Sequence, residues 1–446
     1  MRFLIIGGDA AGMSAASRAK RHSPDMEAIV LEKTSDVSYS ACGMPYNIAN
    51  SSRDVEDLVV RTAQAFRDKQ GIDLRTGHEA RAIDPQAKTV TGMTSQGKDF
   101  SFTYDKLLIA TGGSPIIPDV EGMDNPGILP LKSLDDARKI KAFITASNVK
   151  KAVILGMGYV GLEMCEALVE RGVEVAMVKP GLFFLPWMDR DLAEQVQKEV
   201  ESHGVKLHLG HDLTKVEKTA SGLTITCPGL SLEADLLIPA IGITPNSQMA
   251  VKAGLETSVG GSISVDRGLK TSDENIYAAG DCADAYHVVT GKKTWIPLAL
   301  IANRAGWAVA DNVNGKNVEL PGIVGSAVFK VFDLEVARTG LNMREAEKTG
   351  FDPASVTIKA RSRAHSHPGN STIWVHMVGD KKSGRLLGIQ MVGKEGVAHR
   401  INAGAVALHN HMTVDGFSLT DMAYAPPFGP VWDPLLTAAN QLVKKL

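Results

Sequence analysis

The run Ser38-Tyr39-Ser40-Ala41-Cys42-Gly43-Met44-Pro45-Tyr46 holds one cysteine among small residues and is closed by a proline. A thiolate is a nucleophile and an electron carrier, so a thiol placed here can exchange electrons with a bound redox group. The four cysteines, Cys42, Cys165, Cys227 and Cys282, lie far apart, with no CxxC pair and no zinc spacing. That spacing argues against a disulfide framework. Cys165, Cys227 and Cys282 read as packed thiols rather than reactive ones. The pairs His365/His367 and His409/His411 have i, i+2 spacing, which on a strand puts both rings of a pair on one face. No cysteine or acid cluster joins them, so no metal is expected.

The elements around this thiol read as nucleotide-binding units. An apolar run, residues 2–6, leads into Gly7-Gly8-Asp9-Ala10-Ala11-Gly12, a helical stretch over 13–21 and a strand over 28–31 ending at Glu32. The acid stands 20 residues past Gly12, where a ribose hydroxyl is met, and the helix start faces a pyrophosphate. Asp9 holds the middle glycine position, and an acid there is expected to point away from phosphate. The pattern returns as an apolar strand over 152–155 followed by Gly156-Met157-Gly158-Tyr159-Val160-Gly161 and a helix reaching Arg171. The strand after it, over 175–178, ends in Lys179. A base at that place accommodates a 2′-phosphate, which predicts NADPH or weak discrimination. Two such units imply two dinucleotides, or one dinucleotide and a flavin.

A chain of 446 residues implies about three domains, and its net charge of −2 points to neither nucleic acid nor an acidic membrane surface. No apolar run is long enough to cross a bilayer. The N-terminus enters a strand at once, so no signal peptide is expected and the cytoplasm is the expected compartment. Residues 54–76 read as a helix and a short strand, with Arg61 and Thr62 in a polar turn. A strand over 104–110 ends in the turn Ala110-Thr111-Gly112-Gly113. Residues 236–242 close the second unit, and a short strand runs into Gly280-Asp281. From about Gly325 the texture becomes α+β, with strands at 327–331, 372–377 and 386–392 and helices near 342–348 and 396–411. This region ends in Tyr424-Ala425-Pro426-Pro427-Phe428, read as a stiff, partly apolar segment.

On these residues the chain resembles the pyridine nucleotide-disulfide oxidoreductases over nearly its whole length. The resemblance rests on the first glycine turn with Glu32, residues 38–46 around Cys42, Ala110-Thr111-Gly112, Gly156 to Gly161 with Glu163, Tyr277-Ala278-Ala279-Gly280-Asp281, Val392-Gly393-Lys394-Glu395-Gly396, and Tyr424 to Pro427. Within the family it is most similar to the single-cysteine branch: coenzyme A-disulfide reductases, persulfide reductases and NADH oxidases or peroxidases. The implied fold is α/β, with two Rossmann-like domains and a C-terminal α+β dimerisation domain. The implied boundaries are 1–112 with 246–322 for FAD, 113–245 for NAD(P), and 323–446 for dimerisation.

The resemblance also implies residue roles. Gly7, Gly12, Glu32, Thr111, Gly112 and Asp281 would hold FAD, with Pro297, Leu298 and Ala299 at the helix start facing its pyrimidine ring. Gly156, Gly158, Gly161 and Lys179 would hold NADPH or NADH, with Tyr159 and Glu163 flanking the nicotinamide. Arg18, Arg21, Ser38 and Arg61 would bind substrate. Cys42 would be the redox thiol, possible carrier of bound coenzyme A, approached by Tyr424 of the partner subunit in a homodimer. His367 stands where the family has a tyrosine before Pro-Gly, which leaves the proton donor open. With one protein sulfur, the oxidised form is a mixed disulfide, a persulfide or a sulfenic acid, which suits a small thiol or disulfide substrate. The oxidases and peroxidases carry a histidine where this chain has Ala10. The expected activity is therefore NAD(P)H-dependent reduction of coenzyme A disulfide or of coenzyme A persulfide and polysulfide. The alternatives are an NAD(P)H oxidase and a redox-sensing or electron-delivery flavoprotein.

Overall fold

The computed structural model describes residues 1–446. Its first sheet is parallel and runs Ile276–Ala278, Lys106–Ile109, Arg2–Ile6, Glu27–Leu31, Asp73–Arg75. All but the edge strand Asp73–Arg75 are short, mostly apolar and largely buried, as a sheet covered by helices requires. The helix Ala10–His22 connects the first two strands and packs on Ala299–Val313. The approach is close: a Cβ on Gly306 would lie 2.2 Å from the Ala11 carbonyl oxygen. A second parallel sheet runs Lys206–Leu209, Glu174–Lys179, Lys151–Leu155, Leu236–Pro239. The expected class, two Rossmann-like units and a C-terminal α+β region, is the one observed.

Each unit carries a three-stranded antiparallel sheet that sequence patterning missed, over His78–Thr103 and over Lys215–Ala234. The chain passes between the units along two paired strands, Gly113–Pro115 and Ile243–Pro245. The C-terminal region is a five-stranded antiparallel sheet in the order Ala327–Val331, Leu334–Gly340, Leu386–Gly393, Thr372–Asp380, Pro353–Arg361. The region does not end in the stiff segment Tyr424 to Phe428, because a helix follows it. Asp433 caps a helix, Pro434–Val443, by accepting from the Leu435 N–H, and Pro434 takes the first helical position. That helix buries Leu435, Ala438, Ala439 and Leu442 against the sheet.

The segment holding Cys42 belongs to neither parallel sheet. It forms a 3-10 turn, Ala41–Gly43, that runs into a helix, Met44–Ala49. Met44 and Ile48 are buried in one apolar cluster with Ile140, Met164 and Leu168 of the second unit. Full burial of one such side chain contributes about 1.5–3 kcal/mol, so the thiol's support is anchored on the second unit while its chain position lies in the first.

Candidate active site

Both glycine turns are built so that a side chain would fill them. Gly7 has φ +111, and a Cβ there would lie 2.1 Å from the Ala110 carbonyl oxygen; one on Gly12 would lie 1.9 Å from that of Gly7. In the second unit Gly156 has φ +99, with a Cβ position 2.4 Å from the Ala240 oxygen, and one on Gly161 would lie 2.8 Å from Gly156 O. Beside Gly158 and Gly112 a Cβ meets nothing within 4 Å, so the chain leaves open space there. These cradles, at helix starts and strand ends, fit dinucleotide phosphates.

Glu32 closes the first cradle. One carboxylate oxygen accepts from the Gly8 N–H at 2.8 Å, the other from the Thr34 N–H and hydroxyl, each at 2.8 Å. Thr111 donates its hydroxyl to the Asn246 carbonyl at 2.6 Å, and Asn246 Nδ2 returns a bond to Thr111 O at 2.8 Å. Asp281 accepts from Lys132 Nζ at 3.0 Å. Lys132 and Asn246 were not read from the sequence; both meet partners more than 130 positions away, with no local motif to mark them. Asp9 caps the first helix without a side-chain bond. Burial pushes its carboxyl up to about 6, against the pull of Lys132, with the acids Glu32 and Asp281 adding to the rise.

The second cradle opens on a cleft of about 680 Å³ lined by Gly156, Tyr159, Lys179, Trp187 and Ile243. Pro297, next to the start of the helix Ala299–Val313, lines the same cleft. The cleft therefore runs from the second glycine turn to the edge of the first unit. Lys179 donates to the Phe183 carbonyl at 2.9 Å, and burial lowers its ammonium pKa. Tyr46, one helical turn past Cys42, donates to Glu163 Oε1 at 3.0 Å. Burial raises the Glu163 carboxyl, and the Tyr46 bond opposes the rise.

Cys42 is exposed. A flavin ring, a helix start or a tyrosine hydrogen bond would lower its thiol pKa. The chain's own groups do the reverse: burial of its inner side raises the pKa, the Glu163 carboxylate adds to this, and Lys132 is the cation that opposes it. Asp281 and Asp9 raise it further. Residues of both nucleotide units thus act on this one sulfur. The other three cysteines are buried; burial drives the Cys165 thiol up to about 12 and raises those of Cys227 and Cys282.

The expected substrate residues fall into two groups. Ser38, at φ +49, accepts at its carbonyl from the Val60 and Arg61 N–H groups at 2.9 and 3.3 Å. Arg61 lies over the Phe66 ring beside a surface depression that includes Lys69. Arg18 makes a two-pronged bond to Asp311, at 2.9 and 2.7 Å, and stacks on Trp307; Arg21 is exposed in the last turn of the same helix. Tyr424 is 48 % exposed, with Phe428, Val431 and Trp432 also exposed nearby in the chain. The loop bearing His367 is tied to that segment, because the Ala364 N–H donates to the Pro426 carbonyl at 3.0 Å. His365 and His367 lie in this turn, not on a strand, since the strand Pro353–Arg361 has ended before them. His367 Nδ1 lies 3.0 Å from Pro368 O.

Residues 1–306 match the family model of the pyridine nucleotide-disulphide oxidoreductases, and residues 326–434 match that family's dimerisation domain. An NAD(P)H sulfur oxidoreductase (CoA-dependent) of Pyrococcus furiosus is 38% identical over 442 residues, 99% of each chain. An NADH oxidase of Methanocaldococcus jannaschii is 33% identical over 447 residues, covering 100% of this chain and 99% of the relative. Among solved structures, an NAD-dependent persulfide reductase from A. fulgidus matches with a TM-score of 0.96 at 36% identity, over 100% of this chain and 83% of that one.

Proposed function

We propose, on the premise that the chain belongs to the pyridine nucleotide-disulphide oxidoreductase family, that it is an NAD(P)H-dependent reductase of coenzyme A disulfide or of coenzyme A persulfide and polysulfide, working through Cys42. The observation that carries this reading is the placing of Cys42. One protein sulfur lies within the electrostatic reach of Glu163 and Lys132 from the second unit and of Asp281 and Asp9 from the first. The similarity to CoA-dependent sulfur and persulfide reductases supports the same choice.

FAD and NAD(P)H are the cofactors typical of the family. In this reading Gly7, Gly12, Glu32, Thr111, Gly112 and Asp281 hold FAD, with Pro297, Leu298 and Ala299 at its ring. Gly156, Gly158, Gly161 and Lys179 hold NAD(P)H beside Tyr159 and Glu163. When bound, FAD would supply hydride-derived electron pairs from NAD(P)H to an oxidised Cys42. The thiolate of Cys42 attacks one sulfur of a disulfide, forming a mixed disulfide and releasing the other half as a thiolate. Two electrons and a proton then return Cys42 as thiolate and free the second thiol. The sum is one disulfide, one NAD(P)H and one proton giving two thiols and NAD(P)⁺. Because burial and Glu163 disfavour the thiolate in the chain alone, Lys132 is its one cationic support. Arg18, Arg21, Ser38 and Arg61 would receive the coenzyme A portion.

The chain in this reading works as a homodimer, with domains over 1–112 with 246–322, 113–245 and 323–446. The crossing strands Gly113–Pro115 and Ile243–Pro245 support the inner boundaries. The exposed Tyr424, Phe428 and Trp432 support an apolar contact between copies. Across it Tyr424 of the partner subunit, with His367, would donate the proton to the leaving thiolate. No helix is long and apolar enough to cross a membrane.

NAD(P)H turnover with coenzyme A disulfide, with polysulfide plus coenzyme A, and with oxygen alone, in wild type and Cys42→Ser, tests the proposal. Thiol-substrate turnover should be lost in Cys42→Ser while reduction of the flavin by NAD(P)H remains. Full thiol-substrate turnover in the variant would sink the reading. Turnover with oxygen alone would favour the oxidase activity named for the Methanocaldococcus relative. Intact-protein mass would show coenzyme A held on Cys42.

A further inference from the structure

The strand Leu386–Gly393 is buried throughout and apolar except for Gln390, which is 2 % exposed. A lone buried amide needs partners, since an unpaired one keeps the full cost of its lost hydration. Its partners are not in its own sheet. Gln390 Oε1 accepts from the Asp189 N–H at 2.7 Å, and Nε2 donates to the Trp187 carbonyl at 3.1 Å. Asn342 Nδ2 donates to the same carbonyl at 3.0 Å. The cross-strand register places Arg338, Gln390, His376 and Thr357 in one row across the C-terminal sheet. Every member faces the loop between Lys179 and Asp189. The Arg338 guanidinium lies 5.3 Å from the Trp187 ring centre, and His376 Nδ1 lies 3.2 Å from the Asp189 carboxylate. Thr357 Oγ1 stands 3.3 Å from the other oxygen of that carboxylate.

The loop so held delivers Trp187 onto Tyr159. The two rings meet edge to face at 5.5 Å, and Phe329 of the C-terminal sheet meets Tyr159 in a tilted contact at 5.0 Å. Tyr159 opens the helix after the second glycine turn and lines the cleft with Trp187. Aromatic contacts of this kind fix a ring's direction as well as burying it.

We infer that Trp187 and Gln390 are positioning residues: through them the C-terminal sheet sets the direction of Tyr159 and thereby the fit of the cleft for the nicotinamide nucleotide. The inference rests on the proposed reading of that cleft as the NAD(P)H site. It ties nucleotide affinity to the region that matches the dimerisation domain, by a path that bypasses Cys42.

The test is calorimetric titration of flavin-loaded wild type, Trp187→Ala, Trp187→Phe, Gln390→Met and the double variant Trp187→Ala/Gln390→Met with NAD⁺ and NADP⁺. Kcat and KM for NAD(P)H are measured alongside, and flavin absorbance reports folding. Trp187→Ala should weaken nucleotide binding and raise KM about tenfold, more than it changes kcat. Trp187→Phe, which keeps an edge-to-face ring, should restore most of the loss. Gln390→Met should give a smaller loss, and the double variant should be no worse than Trp187→Ala, because both act through one contact. Binding in Trp187→Ala equal to wild type, or additive losses in the double variant, would overturn the positioning role alone. A wild type that binds neither nucleotide would overturn the reading of the cleft and the positioning role with it.

Discussion

The Tyr46 hydroxyl donates to Glu163 over 3.0 Å, and this bond joins the helix that follows Cys42 to the helix that follows the second glycine turn. Burial holds the Glu163 carboxyl above its ordinary range, and the Tyr46 bond is what pulls it back. A carboxyl raised in the folded state contributes stability that is complete below its unfolded value and is lost as the pH rises through the folded one. Tyr46→Phe removes the opposing bond, so the variant should lose more Tm than wild type as the pH climbs through the carboxylate range. The loss should approach about 1 kcal/mol near neutrality. A Tm difference that does not change with pH would mean that the bond does not act on the ionised carboxylate.

Asp9 offers a second titration with a larger expected span. Burial carries its carboxyl from 3.8 to about 6. Wild type should therefore lose stability as the pH rises from about 4 past about 6, by up to roughly 3 kcal/mol. Asp9→Asn carries no charge and should lack that slope, becoming the more stable of the two above about pH 6. Urea unfolding of the flavin-free proteins across this range measures the difference. Parallel curves would show that the Asp9 carboxyl titrates in the folded chain as it does in the unfolded one.

The parts of this molecule that were legible in advance are those whose physics is local. Gly7 and Gly156 sit at φ +111 and +99, which few other residues tolerate, so the turns leave a mark in the sequence. The buried strands beside them are continuous apolar runs. The strand His78–Asp84 was missed because it is mostly solvated and alternates weakly. The last helix has a good start at Asp433-Pro434, but the prolines just before it, Pro426, Pro427 and Pro430, mask the helical pattern. Cys42 was legible as a lone thiol in a small-residue turn. Its electrostatics were not, since Lys132 and Glu163 reach it only through the fold. Trp187 and Gln390 lie 203 positions apart, and no periodicity joins them.

The two arginines of the first helix should separate by their effects. Arg18 is already committed to Asp311, whose carboxylate is 8% exposed and whose pKa is held down at about 2, first by the Arg18 bond and, against the cost of burial, by Lys316. A carboxylate depressed in this way contributes stability above its unfolded pKa that is lost as the pH falls through the folded one. Arg18→Ala should cost about 1–3 kcal/mol at neutral pH, and the deficit should shrink in acid. Arg21→Ala, at an exposed position, should leave Tm near wild type. If the helix binds coenzyme A phosphates, Arg21→Ala should still raise the KM for coenzyme A disulfide several-fold. An unchanged KM would remove Arg21 from the substrate site.

Lys179 tests the nucleotide end of the cleft. It closes the strand Glu174–Lys179, lines the cleft with the glycine turn, and donates to Phe183 O at 2.9 Å. An acid at this place would accept from a free ribose 2′-hydroxyl and repel a 2′-phosphate. Lys179→Glu should therefore shift the ratio of kcat/KM for NADH over NADPH upward by about tenfold or more, which is about 1.4 kcal/mol of discrimination. Burial lowers the Lys179 pKa, so any wild-type preference for NADPH should fade in alkali before the ordinary lysine range is reached. If Phe183 holds the ammonium away from the nucleotide, the ratio will stay where it is in wild type, and Lys179 will have no part in choosing the cofactor.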